Sequence, residues 1–178
     1  MPIIEDKKKR NEIIGLLVKS YWMEMETVMN YISNSVNLDG VRAEEIKKSL
    51  AADVAAEIGH AQQFAKRIKT LSGIAPGSYD FKASQKTLQP TKDTRDVASV
   101  IRGVIDAENG AITHYNKLIK ACDGVDYVTQ DMAATPENAV EDWGEANMGD
   151  PQTLFRFIEW TKENYPAEHY ALSLWNHG

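Results

Sequence analysis

The chain has 178 residues, 43% hydrophobic and 26% charged, with a net charge of −6, so it supports one domain with a proper core and a small appendage. The acidic balance argues against nucleic acid as a partner, no apolar run approaches a membrane span, and no signal peptide is expected from the amino terminus. A lone cysteine, Cys122, excludes an internal disulfide framework and makes the cytoplasm the expected compartment.

Periodicity predicts a first helix over residues 6–36 with a core face of Leu17, Tyr21, Glu24, Val28 and Tyr31, at spacings of four and three. The segment Asn37-Leu38-Asp39-Gly40 should end it, with Gly40 suited to a left-handed turn. A second helix is predicted over residues 42–72 with a seam of Ile46, Leu50, Val54, Glu57, Ala61, Phe64, Ile68 and Leu71, closed by Gly73 and Pro76. Residues 73–92 show no sustained period and read as a long crossover. A third helix should begin near Asp93, capped by Asp93 or Thr94. Its seam is Val97, Ile101, Val104, Glu108, Ala111, Tyr115, Leu118 and Cys122. The fourth helix should follow residues 126–132, but Pro136, Gly144, Gly149 and Pro151 break the pattern there. A short amphipathic helix fits residues 152–164, and Tyr170–Trp175 reads as a buried strand. The expected fold is therefore all-α over residues 1–132, with residues 133–178 an atypical helix–strand tail in place of a fourth helix.

Glu24, Glu57 and Glu108 each interrupt the apolar seam of a different helix. Three carboxylates in a bundle core repel one another unless a cation neutralises them. His60 lies three residues after Glu57, on the same helical face. Hard oxygen donors plus imidazole on rigid facing helices suit iron or manganese. The alternative is that the glutamates are surface residues on a seam rotated by one position. Tyr31 and Tyr115, each seven residues past a seam glutamate, are expected to pack in the core, with hydrogen bonding to the carboxylates a second role. Glu26 and Asp53 read as peripheral, and His114 as solvent-facing.

The set Glu24-Met25-Glu26-Thr27-Val28-Met29-Asn30-Tyr31, then Glu57-Ile58-Gly59-His60-Ala61, then Glu108-Asn109-Gly110-Ala111-Ile112 leading to Tyr115, then Asp126-Tyr127-Val128-Thr129-Gln130-Asp131-Met132, resembles the ferritin-like di-iron proteins, bacterioferritins in particular. The resemblance covers residues 12–132. It implies a helical bundle that binds ferrous iron, ferroxidase and iron-storage chemistry with oxygen, and assembly into a homo-oligomer, either a dimer or a cage. It makes Glu24, Glu57, His60 and Glu108 the metal ligands, with Glu57 bridging and His60 terminal; no haem and no further catalytic residue are implied. In that family the fourth helix supplies a second Glu-x-x-His. Here the equivalent register holds Val140 and Trp143, so the di-iron site is expected to be incomplete.

The tail departs from this pattern. Gly144 to Leu154, Phe157-Ile158, Trp160, Asn164-Tyr165-Pro166-Ala167, Tyr170-Ala171-Leu172 and Leu174-Trp175-Asn176-His177-Gly178 resemble the clostripain family of cysteine peptidases over residues 141–178. That resemblance makes His177 the catalytic histidine, with the cysteine expected downstream. Cys122, inside a predicted helix, is not expected to serve as the nucleophile. Three readings stand at this point: an iron-binding ferritin-like protein, a metal-free structural or assembly module, and a piece of a cysteine peptidase.

Overall fold

The structure is a computed structural model that describes residues 3–134; the expected short helix, strand and His177 lie outside the described residues. Among the described residues the fold is all-helical. α1 spans Lys7–Asn37, α2 Glu44–Thr70, α3 Val97–Cys122 and α4 Tyr127–Ala133, with 3-10 turns at Val41–Ala43 and Ser78–Asp80. α1 packs against both α2 and α3, and α3 packs against α4. No described helix is long and apolar enough to cross a membrane.

Each helix end has a local cause. The Asp6 carboxylate accepts from the amides of Lys8 and Lys9 at 2.8 and 3.1 Å and so starts α1. Those two amides hold its carboxyl below the usual range. Gly40, at φ 95°, turns the chain after α1. α2 carries Glu44 and Glu45 in its first turn and Arg67 and Lys69 in its last, both favourable to the helix dipole.

Three boundaries differ from expectation. α2 ends at Thr70, before the expected Ser72, which is itself left-handed at φ 67°. Gly73 donates its amide to Ile68 O at 2.8 Å, and a Cβ there would meet Ile68 Cγ2 at 2.9 Å. α3 begins at Val97 under Asp96, which accepts from the Ser99 amide at 3.0 Å, so the cap lies beyond Asp93 and Thr94. Asp93 closes a separate turn through the Arg95 amide. α4 starts at Tyr127, within the segment expected to precede it, because Asp126 caps it through the Thr129 amide at 3.1 Å.

The core divides into two apolar clusters. One gathers Ile13, Leu17, Phe64, Ile68, Tyr115 and Leu118. The other gathers Tyr31, Leu38, Leu50, Leu88 and Val100. A polar layer, contributed by the middle turns of α1, α2 and α3, separates them. Fully burying each large aliphatic side chain contributes about 1.5–3 kcal/mol, so both clusters hold the layer rigidly between them.

The amino-terminal half of α3 is rotated by one position from the expected seam. Val100 and Gly103 are buried, whereas Ile101 is 40% exposed. The crossover explains the rotation. A Cβ on Gly103 would sit 2.4 Å from Thr87 O and 2.8 Å from Leu88 Cα, so the crossover backbone lies directly on that glycine.

The crossover is held to α1 by a ladder of polar contacts. Glu26 accepts from the Ser84 amide at 2.7 Å, the Ser84 hydroxyl at 2.8 Å and the Gln85 amide at 2.8 Å. Asn30 donates to Gln85 Oε1 at 2.9 Å, and Asn34 donates to Leu88 O at 3.0 Å. These three α1 residues are four apart in sequence and share one face. At the far end of the bundle, Arg67 binds Asp126 at 2.5 Å and Thr129 at 2.7 Å, tying α2 to the start of α4.

Candidate metal centre

The polar layer opens into a cavity of about 320 Å³. Glu24, Glu57, His60 and Glu108 all line it, although they come from three helices. Each is there because its helix turns it inward: Glu24 lies between Leu17 and Tyr31 on the buried stripe of α1, and Glu57 and His60 lie between Leu50 and Phe64 on α2.

Ligand atoms of Glu24, Glu57 and His60 all fall within 4.8 Å of one another. His60 Nδ1 is 3.4 Å from Glu57 Oε2 and 3.9 Å from Glu24 Oε2. Glu24 is 7% exposed, while Glu57 and His60 are half-buried. Glu108 stands apart from this triad: it lines the same cavity but is exposed, on the flank of the rotated α3.

Two tyrosines brace the carboxylates. Tyr115 donates its hydroxyl proton to Glu24 Oε1, and Tyr31 donates to Glu108 Oε1 at 3.1 Å. Both rings are buried, and Tyr115 stacks on Phe64 with centroids 5.5 Å apart. Core packing and carboxylate bonding are thus combined in the same residues. Burial raises the Tyr31 phenol above its ordinary range, and the charges of Glu108, Glu57 and Asp53 raise it further. Tyr31 therefore stays protonated and remains a donor.

Such a set can do one thing well. Two carboxylates and an imidazole converge in the cavity with a third carboxylate on its edge, and a cation with oxygen and nitrogen preference would relieve their mutual repulsion. Two phenolic donors fix the carboxylates without adding charge.

Several side chains stand elsewhere than expected. Asp53 lines the cavity from its exposed side. Glu26 is outside the cavity but 2% exposed, satisfied by the crossover. His114 is buried, not solvent-facing: its Nε2 lies 3.0 Å from Leu16 O and 3.1 Å from Ser20 Oγ. Burial lowers the His114 pKa, and the charges of Lys19 and Lys117 act in the same direction against the bond to Leu16. Sequence reasoning passed over Gln85 and Thr27, which also line the cavity. The available signal was the Glu26-Asn30-Asn34 stripe, a polar face four residues in period that needed a covering segment. Val140 and Trp143 lie outside the described residues.

Comparisons with known proteins agree with this architecture. The family model for the ferritin-like domain matches residues 14–139. A bacterioferritin from Desulfovibrio desulfuricans is 26% identical over 118 residues, which is 66% of this chain and 60% of that protein. Clostripain from Hathewaya histolytica is 49% identical over 43 residues, 24% of this chain and 8% of that protein. The chain therefore spans less than two thirds of either curated relative. Among solved structures, a dodecameric thioferritin from Bacteroides fragilis, described as bacterioferritin-related, superposes with a TM-score of 0.60 at 22% identity, covering 89% of this chain and 92% of that one. A ferritin-like, diiron-carboxylate protein from Bacillus anthracis superposes at 0.59 and 20% identity, covering 71% and 83%. At those identities the two structures speak to the fold.

Proposed function

The chain belongs to the ferritin-like family, and on that premise we propose that it binds ferrous iron in the central cavity and oxidises it. The observation that carries the reading is the convergence of Glu24, Glu57 and His60 within 4.8 Å in the polar layer between the two apolar clusters. The donor set fits the ion: carboxylate oxygens with one imidazole suit iron better than a thiolate-preferring metal.

In this reading Glu24 and His60 are terminal ligands of one ion, and Glu57 bridges toward a second position that Glu108 serves. The register that would supply its partner Glu-x-x-His holds Val140 and Trp143, which makes that second position the weaker of the two. Ferrous iron is the substrate and gives up one electron per ion to dioxygen. Tyr115 and Tyr31 each donate a hydrogen bond to one oxygen of Glu24 and of Glu108 and so fix those side chains at the cavity. The apolar clusters above and below limit water around the ligands.

The reading includes a homo-oligomer and residence in the cytoplasm. Support for self-association comes from a second apolar stripe on α1: Val18, Trp22, Met25, Met29, Ile32 and Val36, at spacings of four and three. Met29, Ile32 and Val36 are 47%, 48% and 72% exposed. Between Lys19 and Asp39 the only charged residues of α1 are Glu24 and Glu26, both buried. A charge-free face of aromatic, Met and aliphatic residues has the composition of an interface core, and a second copy of the chain can meet it without like-charge contact. Sedimentation of wild type against Ile32→Glu tests this; equal masses would reject the face.

Anaerobic ferrous titration followed by an oxygen pulse tests the main reading. Saturable binding and oxidation faster than buffer are expected, with both lost in Glu57→Ala. Binding without oxidation above buffer rejects the ferroxidase. No binding rejects the iron reading and favours a metal-free structural module. Cys122 does not fit a peptidase nucleophile: it is fully buried, and burial with the nearby Asp126 charge pushes its thiol up to about 12.

A further inference from the structure

The cavity has two unlike sides. Toward the crossover its lining is Glu24, Thr27 and Tyr31 of α1, all buried, with Gln85 of the crossover closing over them. Toward α2 and α3 it is edged by the exposed carboxylates Asp53 and Glu108.

Gln85 is held from every direction. Its Nε2 donates to Thr27 Oγ1 at 2.6 Å and to Met23 O at 3.4 Å, and its Oε1 accepts from Asn30 at 2.9 Å. Its amide, with that of Ser84, is bound to Glu26. The side chain therefore has no freedom to act as a ligand. It can act as a plug whose position is set by the buried Glu26 carboxylate of α1.

We propose that Gln85 seals the α1 side of the metal cavity and that Glu26 is the positioning residue that keeps it there, so that cations pass through the acidic side marked by Asp53 and Glu108. The inference rests on the metal reading of the cavity. Its physical basis is geometric. A segment with no regular backbone hydrogen bonding of its own would open locally at low cost, and the three bonds to Glu26 fix it where the cavity would otherwise face water.

Cobaltous ion is the probe, because its visible absorption reports coordination without redox chemistry. The wild-type chain, Gln85→Ala, Glu26→Gln and the double variant are loaded with cobaltous ion, and release to excess EDTA is followed by stopped flow. Equal stoichiometry and an unchanged spectrum are expected for all four. Release should be roughly tenfold faster in Gln85→Ala and in Glu26→Gln, within the range for supporting residues of metal sites. The double variant should be no faster than Gln85→Ala, because Glu26 acts through Gln85. A purely structural Glu26 would lower the melting temperature and leave release unchanged. Gln85→Ala removes only a side chain at the cavity edge, so it keeps the test open if Glu26→Gln folds poorly. Normal loading with unaltered release in Gln85→Ala overturns the seal. Normal loading with additive effects in the double variant overturns the positioning role. A wild-type chain that takes up no cobaltous ion overturns the metal reading itself, and the seal with it.

Discussion

Glu24 and Glu26 sit two residues apart on α1, both buried, and they are buried for opposite reasons. Glu26 meets two backbone amides and a hydroxyl that the fold supplies, so its charge is matched by fixed donors. Glu24 meets one phenol and then faces an imidazole and further carboxylates across a cavity. The first carboxylate stabilises the fold as it stands. The second sits where a cation would relieve repulsion, as the proposed iron site requires. The difference teaches that a buried acid in a helical core is informative only after its donors are counted.

That contrast can be broken most forcefully at Gly103. Gly103→Ala drives a Cβ into the crossover backbone and should cost about 3 kcal/mol by urea denaturation, near the upper end for overpacking. If the variant is as stable as wild type, the crossover is not seated as described. On the cavity side, saturating ferrous iron at about a hundredfold over Kd should stabilise the wild-type chain by about 2.7 kcal/mol. Glu24→Gln should lose that increment while its metal-free form melts no lower than wild type. A large loss of metal-free stability in Glu24→Gln would make the two carboxylates alike.

Glu26→Ala should show the reverse pattern. Two backbone amides and a hydroxyl lose their acceptor, and stability should fall by about 2 kcal/mol with or without metal. Tyr115→Phe removes one bond to Glu24 and leaves the ring stacking intact, so a loss of about 1 kcal/mol is expected, with weaker metal binding. Calorimetry of both forms separates the two effects.

The smallest effect expected is a pH dependence from His114. Its folded pKa lies below the ordinary value of 6.5, so the folded state favours the neutral ring. Stability from this group is complete above the unfolded value and falls as pH drops through 6.5 toward the folded one. Urea midpoints at decreasing pH should decline less in His114→Gln, which keeps a donor toward Leu16 O. Parallel declines in both chains would show that another group governs the acid limb.

The helices were legible because their signals are local. Spacings of three and four located α1, α2 and α3 to within a few residues, and the Asp6 cap and Gly40 turn are written in adjacent residues. The inward glutamates were legible because a charged residue in an apolar stripe is conspicuous. Asp96 was missed as the cap of α3 because Asp93, Thr94 and Asp96 offer the same chemistry at neighbouring positions. His114 was missed because its partner Ser20 is distant in sequence.

Sequence by itself determined that α1, α2 and α3 are helical and that Glu24 and Glu57 interrupt their apolar faces, since periodicity and composition act over single turns. Tertiary structure alone decided the rotation of α3, the exposure of Glu108 and the burial of Glu26 and His114. Those features depend on where the crossover rests, and its position is set by contacts between residues on different elements, Glu26 with Ser84 and Gly103 with Thr87 among them, which no local pattern encodes.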